Sequence, residues 1–183
     1  MTGSRRRNAG VVAVLLAIGL GGWWAYSYWE RLKMENEYQH AQAAFQLLEQ
    51  LRGARMGDSP ESFQRSSDLF NSAEGELIFN LDPQSPVARA LSSYSSAIMD
   101  QRSAKMSLET AKLKIEDLEI EGKGSASMRD LRSKRDNSET RVEAIAPIVD
   151  TCHDDVAHFL YGTASTNTCE ASVSRYKAMY PDK

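Results

Sequence analysis

The chain has 183 residues, a formal net charge of −3 and 42% hydrophobic residues, which are values typical of one ordinary soluble domain. The stretch 9–29, however, contains no charged residue and all three tryptophans, so the rest of the chain is poor in large aliphatic side chains. That shortage argues against a catalytic domain with a deep core and favours an elongated helical arrangement. The mild acidity, with Arg5-Arg6-Arg7 as the one dense basic cluster, argues against nucleic acid as a partner.

Residues 9–29 are predicted to form a transmembrane signal-anchor helix. At ~1.5 Å per residue such a helix matches a hydrocarbon core of roughly 30 Å. The arginines at 5–7 precede it, and the positive-inside rule then puts the tail 1–8 in the cytoplasm and residues 30–183 outside. So short a tail cannot relay a signal by itself. The alternative is a cleaved signal peptide, with Ala25-Tyr26-Ser27 as its processing site.

Two sets of side chains within this segment predict what surrounds it. An aromatic cluster at the outer end favours the membrane–water interface, and it consists of Trp23, Trp24, Tyr26, Tyr28 and Trp29. Small residues recur at every fourth position and form a strip on which another helix can pack closely: Ala9, Ala13, Ala17, Gly21 and Ala25. The expected partner on this strip is a second copy of the chain or a different subunit.

Helix breakers divide the remaining chain into helical segments. Because no glycine or proline lies between Trp23 and Arg52, the membrane helix is expected to continue outward as a stalk over residues 30–56. The heptad-like apolar stripe of the stalk consists of Met34, Tyr38, Ala41, Phe45 and Leu48. Ser59-Pro60 and Ser85-Pro86 are cap-and-proline signals that predict the starts of the next two helices.

Residues 60–150 are predicted to form a helical bundle that includes a long antiparallel hairpin. An apolar stripe runs over residues 86–121 and resumes in the same phase after the loop Gly122–Ser125. Two long helices joined by a short loop are typical of an antiparallel pair. The stripes are interpreted as packing surfaces, and no cofactor is predicted. The sequence therefore predicts an all-α fold with a coiled-coil-like domain outside the membrane.

The two cysteines, Cys152 and Cys169, are predicted to form a disulfide, because residues 30–183 are expected to lie outside the cytoplasm. The bridge would staple a C-terminal helical hairpin over residues 151–183 and add roughly 3 kcal/mol in the chain-entropy model. Its two helices are expected at 150–161 and from Cys169, the second one capped by Asn167.

Metal binding is the alternative role for the region around Cys152. Nearby side chains with suitable atoms are Asp150, His153, Asp154, Asp155 and His158. Asp150, Asp154 and His158 share one helix face, whereas His153 and His158 do not. Three such residues on an exposed face are interpreted as a solvated surface, so no metal site is predicted.

No catalytic constellation assembles, because the glycine-rich phosphate loop, His-Glu-x-x-His and Gly-x-Ser-x-Gly are all absent from the sequence. The sequence favours a non-enzymatic, single-pass protein of the bacterial inner membrane whose periplasmic helices act as a scaffold or adaptor subunit of a larger complex. One alternative is a phage-type inner-membrane lysis subunit, since the layout resembles that of spanins apart from the stapled hairpin. Another is a periplasmic ligand-binding helical bundle that reports to a membrane partner.

Overall fold

The computed structural model describes residues 3–54, 60–120, 126–162 and 168–181; for residues 3–22, 60 and 126 it describes the backbone alone. Within these ranges 93% of the chain is helical and no strand occurs. The helices are α1 (Gly3–Gly53), α2 (Pro60–Asn80), α3 (Pro86–Ile120), α4 (Ala126–Tyr161) and α5 (Cys169–Met179). The prediction of an all-α fold is confirmed.

The chain divides into two compact units, residues 1–39 and 40–183, and α1 contributes to both. In the first unit the described side chains, from Trp23 to Gln39, are mostly exposed. Among the described residues, none of the helices combines the length and the apolar character required to cross a membrane. The side chains of residues 9–22, which make up most of the predicted membrane segment, lie outside the described set.

The helix starts show how far local signals decide the fold. The predicted cap at the start of α3 is confirmed, since the Ser85 hydroxyl accepts a hydrogen bond from the backbone N–H of Ala88 at 3.2 Å. The equivalent signal at Ser59 lies outside the described residues. The predicted cap of α5 is wrong, because the N-cap is Thr168 rather than Asn167, and its own side chain makes no capping hydrogen bond.

The second unit is an up-and-down bundle of residues 40–53 of α1 with α2, α3 and α4. Side-chain contacts link neighbouring helices of this bundle. His40 meets Glu76 of α2 at 2.7 Å, and Arg52 meets Asp150 of α4 at 2.5 Å. Helix α5 packs on both α3 and α4. The most deeply buried large side chains of this core are Leu48, Leu51, Leu91, Tyr94, Ile98, Ile145, Val149, Val156 and Tyr176.

Two element boundaries differ from those that the sequence suggested. Residues 40–53 were expected in the stalk, but they carry core side chains such as Leu48, which is 0% exposed. Helix α4 runs without a break through residue 150, with Pro147 inside it. The separate helix predicted over 150–161 is therefore wrong, because that segment is the last part of α4.

Part of the α3–α4 pair lies outside the main core cluster. Arg132 of α4 reaches Glu119 of α3 at 3.4 Å, close to the connection between the two helices. The seam of this part buries small and aliphatic side chains: Ala104, Leu108, Ala111, Ile115 and Ser138. None of these residues belongs to the core cluster of the bundle. The bundle is therefore extended by a hairpin in which α3 and α4 are each other's main support.

Candidate functional site

The aromatic cluster predicted for the membrane interface is exposed along its whole length. Trp23, Trp24 and Trp29 have 69%, 68% and 60% of their surface accessible. The rings of Trp24 and Tyr28 stack with their centroids 5.9 Å apart, and the Tyr26 hydroxyl donates a hydrogen bond to Glu30 at 2.7 Å. Such a concentration of exposed aromatic rings on one short segment is uncommon on a soluble surface and indicates a surface that contacts something else.

The predicted small-residue strip can be located only in part. Ala25 lies among the described side chains and is exposed. The other four positions, Ala9, Ala13, Ala17 and Gly21, fall on residues whose side chains lie outside the described set. Their backbone is helical as part of α1, so the spacing of four residues corresponds to one face of a helix.

The two cysteines lie together as the sequence predicted. Cys152 of α4 is bonded to Cys169, the first residue of α5, and both side chains are almost fully buried. The bridge fixes the start of α5 against α4, while Tyr176 anchors the remainder of α5 in the core. The predicted disulfide is confirmed, although it joins a short terminal helix to a long one rather than two helices of similar length.

A buried acid next to the disulfide serves the start of α5. Asp155 is 2% exposed, and its carboxylate accepts a hydrogen bond from the backbone N–H of Cys169 at 2.7 Å. The first N–H groups of a helix have no partner within the helix and carry a partial positive charge. Asp155 therefore caps α5 from another helix, which is the role that the sequence predicted for Asn167.

The acidic and histidine side chains near Cys152 make separate contacts in the structure. Among the described residues, no group of three or more His, Cys, Asp or Glu side chains could hold a metal ion. Asp150 pairs with Arg52 of α1, and His153 lies 3.1 Å from Asp154. The ring of His158 contacts the ring of Phe159, and its Nδ1 is buried without a hydrogen-bond partner. The structure thus distributes these side chains over several contacts.

A polar network joins three helices of the bundle. Tyr94 of α3 is fully buried, and its hydroxyl donates a hydrogen bond to the Glu49 carboxylate of α1. The same carboxylate lies 3.9 Å from Arg52 and 4.0 Å from His153 of α4. Burial lowers the pKa of the Arg52 guanidinium, but its contacts with Tyr94, Glu49 and Asp150 raise that pKa by more. The network fixes the relative positions of α1, α3 and α4.

Tyr94 is expected to titrate at an unusually high pH. Burial, followed by its hydrogen bond to Glu49, raises the pKa of its phenol far above the usual value of about 10. Because the folded pKa exceeds the unfolded one, this contribution to stability is complete below about pH 10 and is lost as the pH rises further. Tyr94→Phe should remove the last-ionising group from an ultraviolet titration of tyrosinate. The same variant should also show a smaller fall in the free energy of unfolding as the pH rises above about 10.

The matched control for that titration is Tyr161→Phe, because Tyr161 is 51% exposed. This variant should keep the late-ionising group and the alkaline fall in stability. A wild-type titration in which all tyrosines ionise together near pH 10 would contradict the proposed burial of the Tyr94 phenol.

Arg102 of α3 satisfies the C-terminal end of α1. Its guanidinium donates hydrogen bonds to the backbone carbonyls of Leu51 and Ala54 at 2.8 and 3.1 Å, and to the Ser66 hydroxyl at 2.8 Å. The last carbonyls of a helix lack partners within the helix and attract cations. Burial lowers the pKa of this guanidinium. Sequence reasoning missed Arg102, Glu49 and Arg52, since each of them also contacts residues that lie far away in the sequence.

Comparison with protein-family models, with curated proteins and with solved structures finds no match to this chain. The class that the fold and its contacts define is an all-α bundle with a disulfide-stapled fifth helix and a protruding two-helix hairpin.

Proposed function

We propose that this protein is a non-enzymatic, single-pass protein of the bacterial inner membrane whose periplasmic helical domain acts as a scaffold or adaptor subunit of a larger complex. In this proposal residues 1–8 form the cytoplasmic tail and residues 9–29 form the anchor. The protein partners bind through the small-residue strip of the anchor and through the helices of the 40–183 unit.

The exposed aromatic cluster is the observation that carries the proposal. The five rings between Trp23 and Trp29 follow directly on an uncharged apolar stretch, which itself follows the arginines at 5–7. Amphipathic aromatic rings are favoured at the level of the lipid head groups, and arginine is favoured on the cytoplasmic side. The Cys152–Cys169 disulfide is in keeping with an oxidising compartment on the far side of the membrane.

The adaptor role is supported by the way in which the polar groups of the bundle are used. Several ionisable groups of the bundle are engaged in structural contacts, with Glu49 on Tyr94, Asp155 on α5 and Arg102 on α1. An active site normally requires convergent groups around a substrate-sized cavity. A rigid domain that presents helix faces is the kind of structure that a binding subunit requires.

The topology is tested by fusing alkaline phosphatase, which folds only outside the cytoplasm, to the C-terminus of the full chain. We expect an active fusion that stays in the membrane fraction after alkaline carbonate washing, and an intact N-terminus by mass spectrometry. The double variant Val14→Arg/Ile18→Arg should be released from the membrane fraction, since each arginine costs about 2.5–3.5 kcal/mol at the centre of a membrane helix. A mature N-terminus near Tyr28 would show a cleaved signal peptide instead.

Complex formation is tested by native electrophoresis of the full chain in mild detergents. The proposal expects a species larger than the monomer, which Ala13→Leu/Ala17→Leu weakens because the bulkier side chains keep helix backbones apart. A monomer in every mild detergent would contradict the adaptor role, whatever the topology.

A further inference from the structure

The outward-facing side of α3 carries an unusual apolar stripe. Large apolar side chains recur there at every seventh position, which keeps them near one face of the helix and matches one of the two apolar positions of a heptad. Their exposed fractions are 39% for Met99, 55% for Met106, 55% for Leu113 and 78% for Ile120. We call these four residues the outer stripe.

The outer stripe is separate from the seam between α3 and α4. That seam uses Leu108 and Ile115, which are buried and lie two residues after members of the stripe, about 200° around the helix. The corresponding outward positions of α4 carry the polar or turn-forming residues expected on a solvated face. They are Ser133, Thr140, Pro147 and Asp154, all of them exposed. Only one of the two hairpin helices thus has a second apolar face.

Helix α2 borders one end of this face. A groove of about 230 Å³ is lined by Phe63 and Phe70 of α2 and by Met99 and Met106 of α3. Helix α2 runs antiparallel to α3, as the 2.8 Å contacts Glu74–Ser95 and Ser66–Arg102 require.

The helix α2 stops while the apolar face continues. Because α2 runs antiparallel to α3, the end of α2 nearest the hairpin is its start at Pro60, only about two turns before Ser66. The stripe goes on for about four turns beyond Met106, to Leu113 and Ile120. The exposed fractions of Leu113 and Ile120 show that no described residue covers them. The outer stripe therefore continues the apolar lining of the α2–α3 groove beyond the start of α2.

The charges beside the exposed half of the stripe indicate what kind of helix fits there. Glu109, Glu116 and Asp117 lie three or four residues from members of the stripe, on its two flanks, and all three are exposed. Glu109 pairs with Lys112 of the same helix at 3.2 Å. A helix laid along the stripe would meet carboxylates at its edges, so complementary flanks carry lysine or arginine.

We propose that the outer stripe is the docking site for an amphipathic helix of a partner protein, with apolar residues at heptad spacing and basic residues on both flanks. This inference rests on the proposed adaptor role and names its contact surface. A second copy of the chain is the poorer occupant, because parallel pairing of two stripes would set Glu109 against Glu109 and Glu116 against Glu116. Like charges that face each other across an interface oppose association.

The test uses the full chain in detergent micelles and a labelled synthetic helix with leucine at every seventh position and lysine on both flanks. We expect saturable binding by fluorescence anisotropy. Met106→Glu/Leu113→Glu should raise the Kd by roughly tenfold or more, because the change removes two central apolar contacts. A peptide with glutamate flanks should bind at least tenfold more weakly.

The matched control is Ser133→Glu/Thr140→Glu, which adds the same charge to the outward face of α4 and should leave the Kd unchanged. Circular dichroism should show the same helix content in both double variants, since all four sites are exposed. Absence of binding, equal binding of the two peptides, or equal loss in both variants would overturn the inference. So would a homodimer that Met106→Glu/Leu113→Glu dissociates, because it would identify a second copy as the occupant.

Native electrophoresis of the same variants separates this inference from the adaptor role. A large complex in the wild type that persists in Met106→Glu/Leu113→Glu would refute the docking site and leave the adaptor role standing. Peptide binding to the stripe without any complex in native membranes would refute the adaptor role alone.

Discussion

Replacing Leu48 by alanine is expected to lower the free energy of unfolding by about 2–5 kcal/mol. Leu48 is 0% exposed and belongs to the core cluster that joins α1 to α3 and α4. The truncation removes buried aliphatic surface and leaves a cavity that the rigid bundle can close only in part. Urea denaturation of the full chain in mild detergent, followed by the far-ultraviolet helix signal, measures the loss as a lower midpoint with an unchanged slope.

The matched control is Met34→Ala, because the sequence places Met34 and Leu48 on one heptad-like stripe. Met34 is 61% exposed, so this truncation should change the free energy of unfolding by no more than about 0.5 kcal/mol. Similar losses in both variants would mean that the whole stripe is packed. No loss in either would mean that residues 40–53 contribute nothing to the bundle and behave as the stalk that the sequence predicted.

This pair of residues shows what periodicity can and cannot predict. A repeat of three and four residues indicates the phase of an apolar face, and it correctly places Ala41, Phe45 and Leu48 on the buried side. It does not indicate how far the partner surface extends, which depends on where α2, α3 and α4 end. The same limit explains Phe63 of α2, which is large and apolar but 71% exposed.

Local signals succeeded where the interaction is local and failed where tertiary contacts take over. The cap at Ser85 could be predicted, because the hydroxyl and the N–H that it serves lie three residues apart. The cap of α5 could not, because Asp155 is fourteen residues away and reaches Cys169 only once α4 and α5 are packed.

The parts of the candidate site differ in the same way. The disulfide was predictable because the chain offers only two cysteines. The contact of Tyr94 with Glu49 was not, since it joins residues 45 positions apart on different helices. The outer stripe has a regular spacing in the sequence, but the stronger seam toward α4 accounts for most apolar residues of α3. Only the exposed fractions distinguish the two faces.

Removing the disulfide by Cys152→Ser/Cys169→Ser is expected to cost roughly 3 kcal/mol of unfolding free energy. The bridge closes a ring between residues 17 positions apart, which restricts the unfolded chain. Its loss should act first on α5, because this helix is short and depends on the bundle for its stability. Urea denaturation measures the global loss, and limited proteolysis within residues 169–181 measures the release of α5.

Reduction of the wild-type protein with dithiothreitol provides the control that separates the bridge from the changed side chains. Reduced wild type should lose about as much stability as the double variant, and dithiothreitol should leave the double variant unaffected. If the variant is destabilised while reduction has no effect, packing of the two sulfur atoms matters and the covalent link does not. If neither treatment releases α5, then Tyr176 and the Asp155 cap are sufficient to hold this helix, and the disulfide is dispensable for the fold.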